Sequence, residues 1–387
     1  MWQNLRILFS AAPSRAAGLL FVVLAVLFGA FVSRLPDLKA SLGLSDSDLG
    51  KALLALPSGA MAANFAVGAL IRRWGLGRVV LWSSLAFCGV IALLPLAGSF
   101  AALAGLLALA GFTDNLMNVS MNTAAAAVQK ASGRLFLSSC HGMFSLGAMA
   151  SSAAGGGLAG LRVPMAWHFP LAALLMALLL LALRRDILRF PDSESKGAVF
   201  TLPKRGLWWL ALISFCQYIG EGSVADWSAV YLRDSLSGPP ALVGLGYAGF
   251  SLAMALARFY GDVVIPRLGE RRVLMGGAFL AGLGMSLAIA LPHPLLAIAG
   301  FTLAGLGYSC IVPILYAAAG RVPGVAPGAG LASVSSFGLL GYLLAPPLIG
   351  FIADAVSLRF GLGLVALAAF ATIGFAWLQY REPPPTA

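Results

Sequence analysis

The chain has 387 residues, 60% of them hydrophobic and 10% charged, with a mean hydropathy of +0.92; these values exclude a water-soluble globular domain and make lipid the solvent for most of the surface. A net charge of +11 would point to nucleic acid in a soluble protein, but here the basic residues gather at the ends of apolar runs, so no nucleic-acid partner is implied. The 46 glycines lie in apolar stretches without a Gly-X-Y period, which excludes collagen and reads as close helix packing in lipid.

Arg6 and Arg15 precede a first apolar run that is long for a secretory signal and is followed by many more of the same kind. Runs long enough to cross hydrocarbon are predicted near 16–33, 50–71, 78–97, 100–129, 135–160, 163–184, 206–232, 241–264, 271–290, 294–320, 328–353 and 357–380. The expected fold is an all-α membrane protein with twelve transmembrane helices. The one sizeable polar connection, 185–205, separates a six-helix bundle at 1–184 from a second at 206–387. Cys88, Cys140, Cys216 and Cys310 all fall inside apolar runs, so no disulfide framework is expected. Cys140 adjoins His141 without further ligand spacing, and no metal or cofactor is expected beyond an ion gradient.

Basic residues at helix ends set the orientation. With the N-terminus placed inside, eighteen of the 25 Lys and Arg fall on the inner side and six on the outer, while Arg258 lies within a helix. This asymmetry predicts both termini in the cytoplasm of a bacterial cell, with the chain in the inner membrane.

Sliding the chain against itself reveals a repeat at an offset of 194 residues. Arg73-Trp74-Gly75 and Arg78-Val79 fall on Arg267-Leu268-Gly269 and Arg272-Val273; Leu109-Ala110-Gly111 falls on Leu303-Ala304-Gly305; and Gly50, Gly147 and Gly156 fall on Gly244, Gly341 and Gly350. A repeat of six helices returns the chain to the same membrane face, so the halves are related by an axis along the membrane normal.

On these residues the chain resembles the major facilitator superfamily over essentially its whole length. They are Gly68 to Arg78 (GALIRRWGLGR), Gly261 to Arg272 (GDVVIPRLGERR) and Gly341 to Gly350 (GYLLAPPLIG). The first is similar to the family's loop between the second and third helices, with Arg72 where that pattern has an acid. The resemblance implies gating roles for Arg72, Arg73, Arg78, Arg267, Arg271 and Arg272; for Arg72 and Arg73, simple anchoring of a tight inner loop is an equal explanation. Arg258 and Asp262, four residues apart on one helix face, form a candidate gating pair. In the fifth helix, Gly147, Ser151-Ser152 and Gly155-Gly156 keep the flanking glycines of the family's antiporter pattern but not its central Gly-Pro, which weighs against drug antiport.

Ionisable groups at bilayer depth mark the candidate site. Asp114 lies mid-way along the fourth helix and is followed by Asn115, Asn118 and Asn122, a polar stripe read as solute-binding, with interhelical hydrogen bonding as the alternative. The repeat sets Tyr308 at the position of Asp114. In the seventh helix Gln217, Tyr218 and Trp227 are further solute candidates, as is His141 in the fifth. Glu221, near mid-depth, is expected to take and release the coupling proton, with Asp226 beside it. Asp226 is expected to pair with Arg34 or Arg233.

Two repeated halves with scattered central polar groups fit a porter, whereas a channel would show a filter or rings of charge. His141, His168 and His293 carry no recognisable enzymatic motif. The expectation is a monomeric, lipid-embedded secondary transporter that takes up a small polar solute with protons. Proton-driven efflux, or a receptor or scaffold on the same fold, are the alternatives.

Overall fold

The computed structural model describes residues 8–134, 136–191, 202–204, 206–325 and 327–381. Of the predicted linker 185–205, residues 192–201 and 205 lie outside the described residues. Among the described residues twelve long helices occur: α1 (Ala12–Ser33), α2 (Asp46–Trp74), α3 (Leu76–Leu93), α4 (Phe100–Ser132), α5 (Leu137–Gly160), α6 (Met165–Ile187), α7 (Trp208–Val230), α8 (Leu245–Leu268), α9 (Glu270–Ala290), α10 (Pro294–Tyr308, continued by Ile311–Ala319), α11 (Pro327–Ala355) and α12 (Leu358–Gln379). Ten of the helical stretches are long and apolar enough to cross a membrane, against the twelve expected. The two that fall short are α5, rich in Gly, Ser and Ala, and α7, which carries Gln217, Glu221 and Asp226.

Several helices start where a serine oxygen satisfies a free amide of the first turn. Asp48 N donates to Ser45 Oγ at 3.1 Å, Ala102 N to Ser99 Oγ at 3.2 Å and Phe360 N to Ser357 Oγ at 3.4 Å. Such a cap starts α2 four residues before the predicted Gly50, and α2 also places Asp46 and Asp48 in its first turn and Arg72 and Arg73 in its last, each charge opposing the helix dipole.

The chain divides into two compact units, one formed by 1–43 and 55–197, the other by 44–54 and 198–387. The first turns of α2 therefore belong to the second unit. Their Asp46 and Ser47 amides donate to Asp354 Oδ1 and Oδ2 of α11, both at 3.0 Å.

The internal repeat reappears in the geometry of each unit. Contacts of α1 with α5 and α6, and of α3 with α4 and α6, recur as α7 with α11 and α12, and α9 with α10 and α12. Gly75, between α2 and α3, has φ 83° and ψ 151°; Gly269, at the corresponding place, has φ 81° and ψ 149°. Both occupy a region that side chains disfavour, which is why the loop keeps glycine in each half. A Cβ on Gly111 would meet the Leu56 carbonyl of α2, and one on Gly305 would meet the Phe250 carbonyl of α8. All four positions obey the 194-residue offset.

Candidate functional site

In the second unit the polar residues of α7 converge with tyrosines from three other helices. Gln217, 1% exposed, points its Nε2 at Glu221 Oε2 and at the Tyr308 carbonyl, each at 3.5 Å. Tyr218 and Tyr316 share a hydrogen bond of 3.0 Å through their hydroxyls, and the Tyr218 ring meets Tyr342 edge-on at 4.9 Å between centroids. Two glycines make this approach possible, since a Cβ on Gly222 would strike the Tyr342 ring and one on Gly338 the Tyr218 ring. Glu221 lies within electrostatic reach of Tyr218, Tyr247, Tyr308 and Tyr342. Gln217 Oε1, Tyr308 Oη and Trp227 Nε1 are buried without a hydrogen-bond partner among the described residues, which is unusual for groups held at such a cost.

One expectation for charged groups here needs correcting. Asp226 makes no ion pair among the described residues, because Arg34 binds Asp37 at 2.6 Å and the Val163 carbonyl at 2.6 Å, while Arg233 binds Asp234 at 2.9 Å. In both cases a carboxylate nearby in sequence takes the guanidinium. Arg258 donates from Nε to the Ser309 carbonyl at 3.3 Å, at the break in α10; the side chain of Asp262 lies outside the described residues.

In the first unit Asp114 is the one polar residue of a narrow crevice otherwise lined by apolar side chains, including Phe28 and Phe31 of α1, Leu56 of α2 and Phe87 of α3. It has no hydrogen-bond partner among the described residues. The stripe that follows it divides. Asn115 donates to the Ala60 carbonyl at 2.9 Å and to Asn64 Oδ1 at 2.8 Å, tying α4 to α2, and Asn122 donates to Asn118 Oδ1 and to its carbonyl, both at 2.9 Å. Asn115 thus joins helices, the alternative the sequence left open. A double-mutant cycle of Asn115→Leu and Asn64→Leu is expected to show a coupling of about 0.6 kcal/mol in thermal melts, typical of polar contacts between membrane helices. His141 is exposed and lies edge-on to Phe21 at 5.0 Å.

The basic residues Arg72, Arg73, Arg78, Arg267, Arg271 and Arg272 are all exposed at the α2–α3 and α8–α9 turns. The acid that is paired in this region is Glu270, the first residue of α9, which sequence reading missed. It takes the Arg321 guanidinium at 2.6 and 2.7 Å and the Tyr380 hydroxyl at 3.1 Å. Its carboxylate holds Arg321 above the ordinary range, and burial raises the Tyr380 phenol.

Tyr247, Tyr316 and Tyr342 were also missed. The repeat holds the signal that would have found Tyr247 and Tyr342: in the first half the counterparts of Gln217, Tyr218, Glu221, Tyr247 and Tyr342 are Val23, Leu24, Leu27, Leu53 and Ala148, whereas that of Tyr316 is the polar Asn122. Polar residues standing opposite apolar ones mark where the two halves diverged.

The profile of the Major Facilitator Superfamily matches residues 17–228 and 210–387. The chain belongs to this superfamily. It is 35% identical over 349 residues to an uncharacterized MFS-type transporter of Yersinia pestis, covering 90% of this chain and 91% of that one. It is 33% identical over 361 residues to an uncharacterized transporter of Sinorhizobium fredii, with 92% and 95% covered. The fold is similar to that of the nucleoside transporter NupG, with a TM-score of 0.72 at 13% identity over 95% of this chain and 99% of that one. As a major facilitator the chain is an integral membrane transporter of small molecules and not an enzyme.

Proposed function

We propose that this major facilitator takes up a small polar solute by alternating access coupled to protons, with Asp114 as the coupling carboxylate and the Glu221 cluster as the solute contact. What supports this division is the contrast between the two mid-depth carboxylates. Asp114 stands alone among apolar side chains, whereas Glu221 lies beside Gln217 and within electrostatic reach of four tyrosines. The reading from sequence alone is the opposite assignment, because depth along a helix does not reveal surroundings. An unpartnered carboxylate ion at bilayer depth costs several kcal/mol, and binding a proton removes that cost, so Asp114 suits a group that loads and unloads protons. The tyrosine hydroxyls and the Gln217 amide are instead donors and acceptors suited to orienting a solute. Uptake is favoured over efflux by α5, where Ser151 and Ser152 replace the antiporter Gly-Pro and Ser151 Oγ donates to the Val26 carbonyl of α1 at 2.6 Å.

Purified protein in proteoliposomes tests this, with candidate solutes chosen by the rise they cause in melting temperature. An inward proton gradient should drive accumulation of a solute that also shows counterflow. Counterflow without any response to the gradient would remove proton coupling, and absence of both would remove the transport reading for the solute panel.

The orientation follows from the charge asymmetry, with both termini in the cytoplasm and the exposed turn at Ser45 outside. The native Cys88, Cys140 and Cys216 are buried, and Cys310 is half-buried. In a cysteine-free background, an impermeant maleimide applied to intact spheroplasts should label Ser45→Cys and spare Ser132→Cys. The reverse pattern would invert the topology.

A further inference from the structure

We infer that the solute recognised in the second unit carries a quaternary or alkylated ammonium group, held at Glu221 beside the tyrosine rings that pack on this stretch of α7. This rests on the proposal that the Glu221 cluster is the solute contact and names the chemistry that it selects. Gln217 Nε2 lies 3.5 Å from Glu221 Oε2, the Tyr308 and Tyr342 rings pack on Gly220 and Gly222 to either side of Glu221 in sequence, and its charge reaches the phenols of Tyr218, Tyr247, Tyr308 and Tyr342. No lysine or arginine pairs with it among the described residues, although the chain has 25 of them. Arg258, whose charge reaches Tyr218 and Tyr247, is directed at the Ser309 carbonyl instead. A carboxylate at this depth needs a counter-charge, and here the cation is left for the solute to bring.

The rings define which kind of cation fits. Aromatic faces attract weakly hydrated cations, and methylated ammonium groups bound by aromatic cages are the best-suited case. Tyr218 and Tyr342 meet edge-on at 4.9 Å, so their planes form two walls of a corner rather than a flat stack. Close packing of both rings on glycine backbones fixes that corner in place. The buried Tyr308 Oη and Gln217 Oε1, both in side chains 1% exposed and lacking partners among the described residues, remain to receive or offer hydrogen bonds to a hydroxyl or amide elsewhere on the solute. The first-half counterparts of Gln217, Tyr218, Glu221 and Tyr342 are the apolar Val23, Leu24, Leu27 and Ala148, whereas that of Tyr308 is Asp114.

The test compares two probes of equal shape and different charge: choline and its neutral carbon analogue 3,3-dimethyl-1-butanol. Binding to the full-length protein in nanodiscs is followed by tryptophan fluorescence and by thermal shift. Choline is expected to bind saturably and at least about tenfold more tightly than the neutral analogue. Glu221→Gln and Tyr342→Leu should each weaken choline by about tenfold or more, while Tyr342→Phe, which keeps the ring face, should bind nearly as well as wild type. The Tyr342→Phe result guards against a general folding defect, as does an unchanged elution volume for each variant. Equal binding of the two probes, tighter binding of the anionic 3,3-dimethylbutyrate, or no saturable binding of choline would each overturn the cation assignment. Counterflow of a solute lacking any ammonium group would overturn it too, yet leave transport intact; loss of the transport reading would instead appear as no counterflow for any solute in the panel.

Discussion

Leucine at position 111 is expected to prevent the protein from reaching its folded state, and leucine at 305 to do the same. At each of these places two helices cross with nothing between the glycine and the facing carbonyl, that of Leu56 for Gly111 and that of Phe250 for Gly305. The obstacle is backbone, so no rotamer change relieves it and the helices must separate. Alanine alone should cost about 1–3 kcal/mol, which corresponds to a drop of roughly 2–12 °C in melting temperature; leucine should leave aggregate in size-exclusion profiles. Gly105, exposed in the same α4 with open space where a Cβ would stand, is the control and should accept leucine. Were Gly111→Leu to elute and melt like Gly105→Leu, the close crossing of α2 and α4 would be wrong. The two sites obey the repeat, so agreement between them tests the pseudo-symmetry as well.

Asp114→Asn is expected to abolish gradient-driven accumulation while leaving counterflow at equal pH close to wild type. For one proton per solute, a pH difference of about one unit supports about tenfold accumulation. Asparagine is close in shape but cannot exchange a proton, so accumulation should fall to the level of simple equilibration. Counterflow needs the solute site and the conformational cycle only, and Asp114 lies among apolar side chains. The measurement is paired uptake with the pH gradient imposed and the membrane potential clamped at zero. Full accumulation by Asp114→Asn would move coupling to Glu221 or Asp226, whereas loss of counterflow as well would make Asp114 a solute contact.

Fold and site differed in how far they could be read from the chain. Helix count followed from hydropathy because lipid forces every backbone polar group to be satisfied within its own segment, so each crossing leaves a long apolar run. The shortfalls at α5 and α7 arise from the same physics, since helices that line polar paths or pack through small residues carry lower hydropathy. The repeat was legible because glycine records backbone constraints: Gly75 and Gly269 share one unusual conformation, and Gly111 and Gly305 one close crossing.

The membrane class, the two six-helix halves, the polar residues within apolar runs and the superfamily were therefore all legible in the order of residues. What those residues face was settled by the packing of the folded bundle. Asn115 and Asp114 are neighbours in sequence, yet one ties α4 to α2 and the other looks into an apolar crevice, because adjacent residues on a helix point about 100° apart and the facing helix is chosen elsewhere in the chain. Tyr247, Tyr316 and Tyr342, on three separate helices, join the Glu221 cluster for the same reason: the contacts that assemble a site inside a helical bundle are long-range, and periodicity within one segment carries no record of its partners.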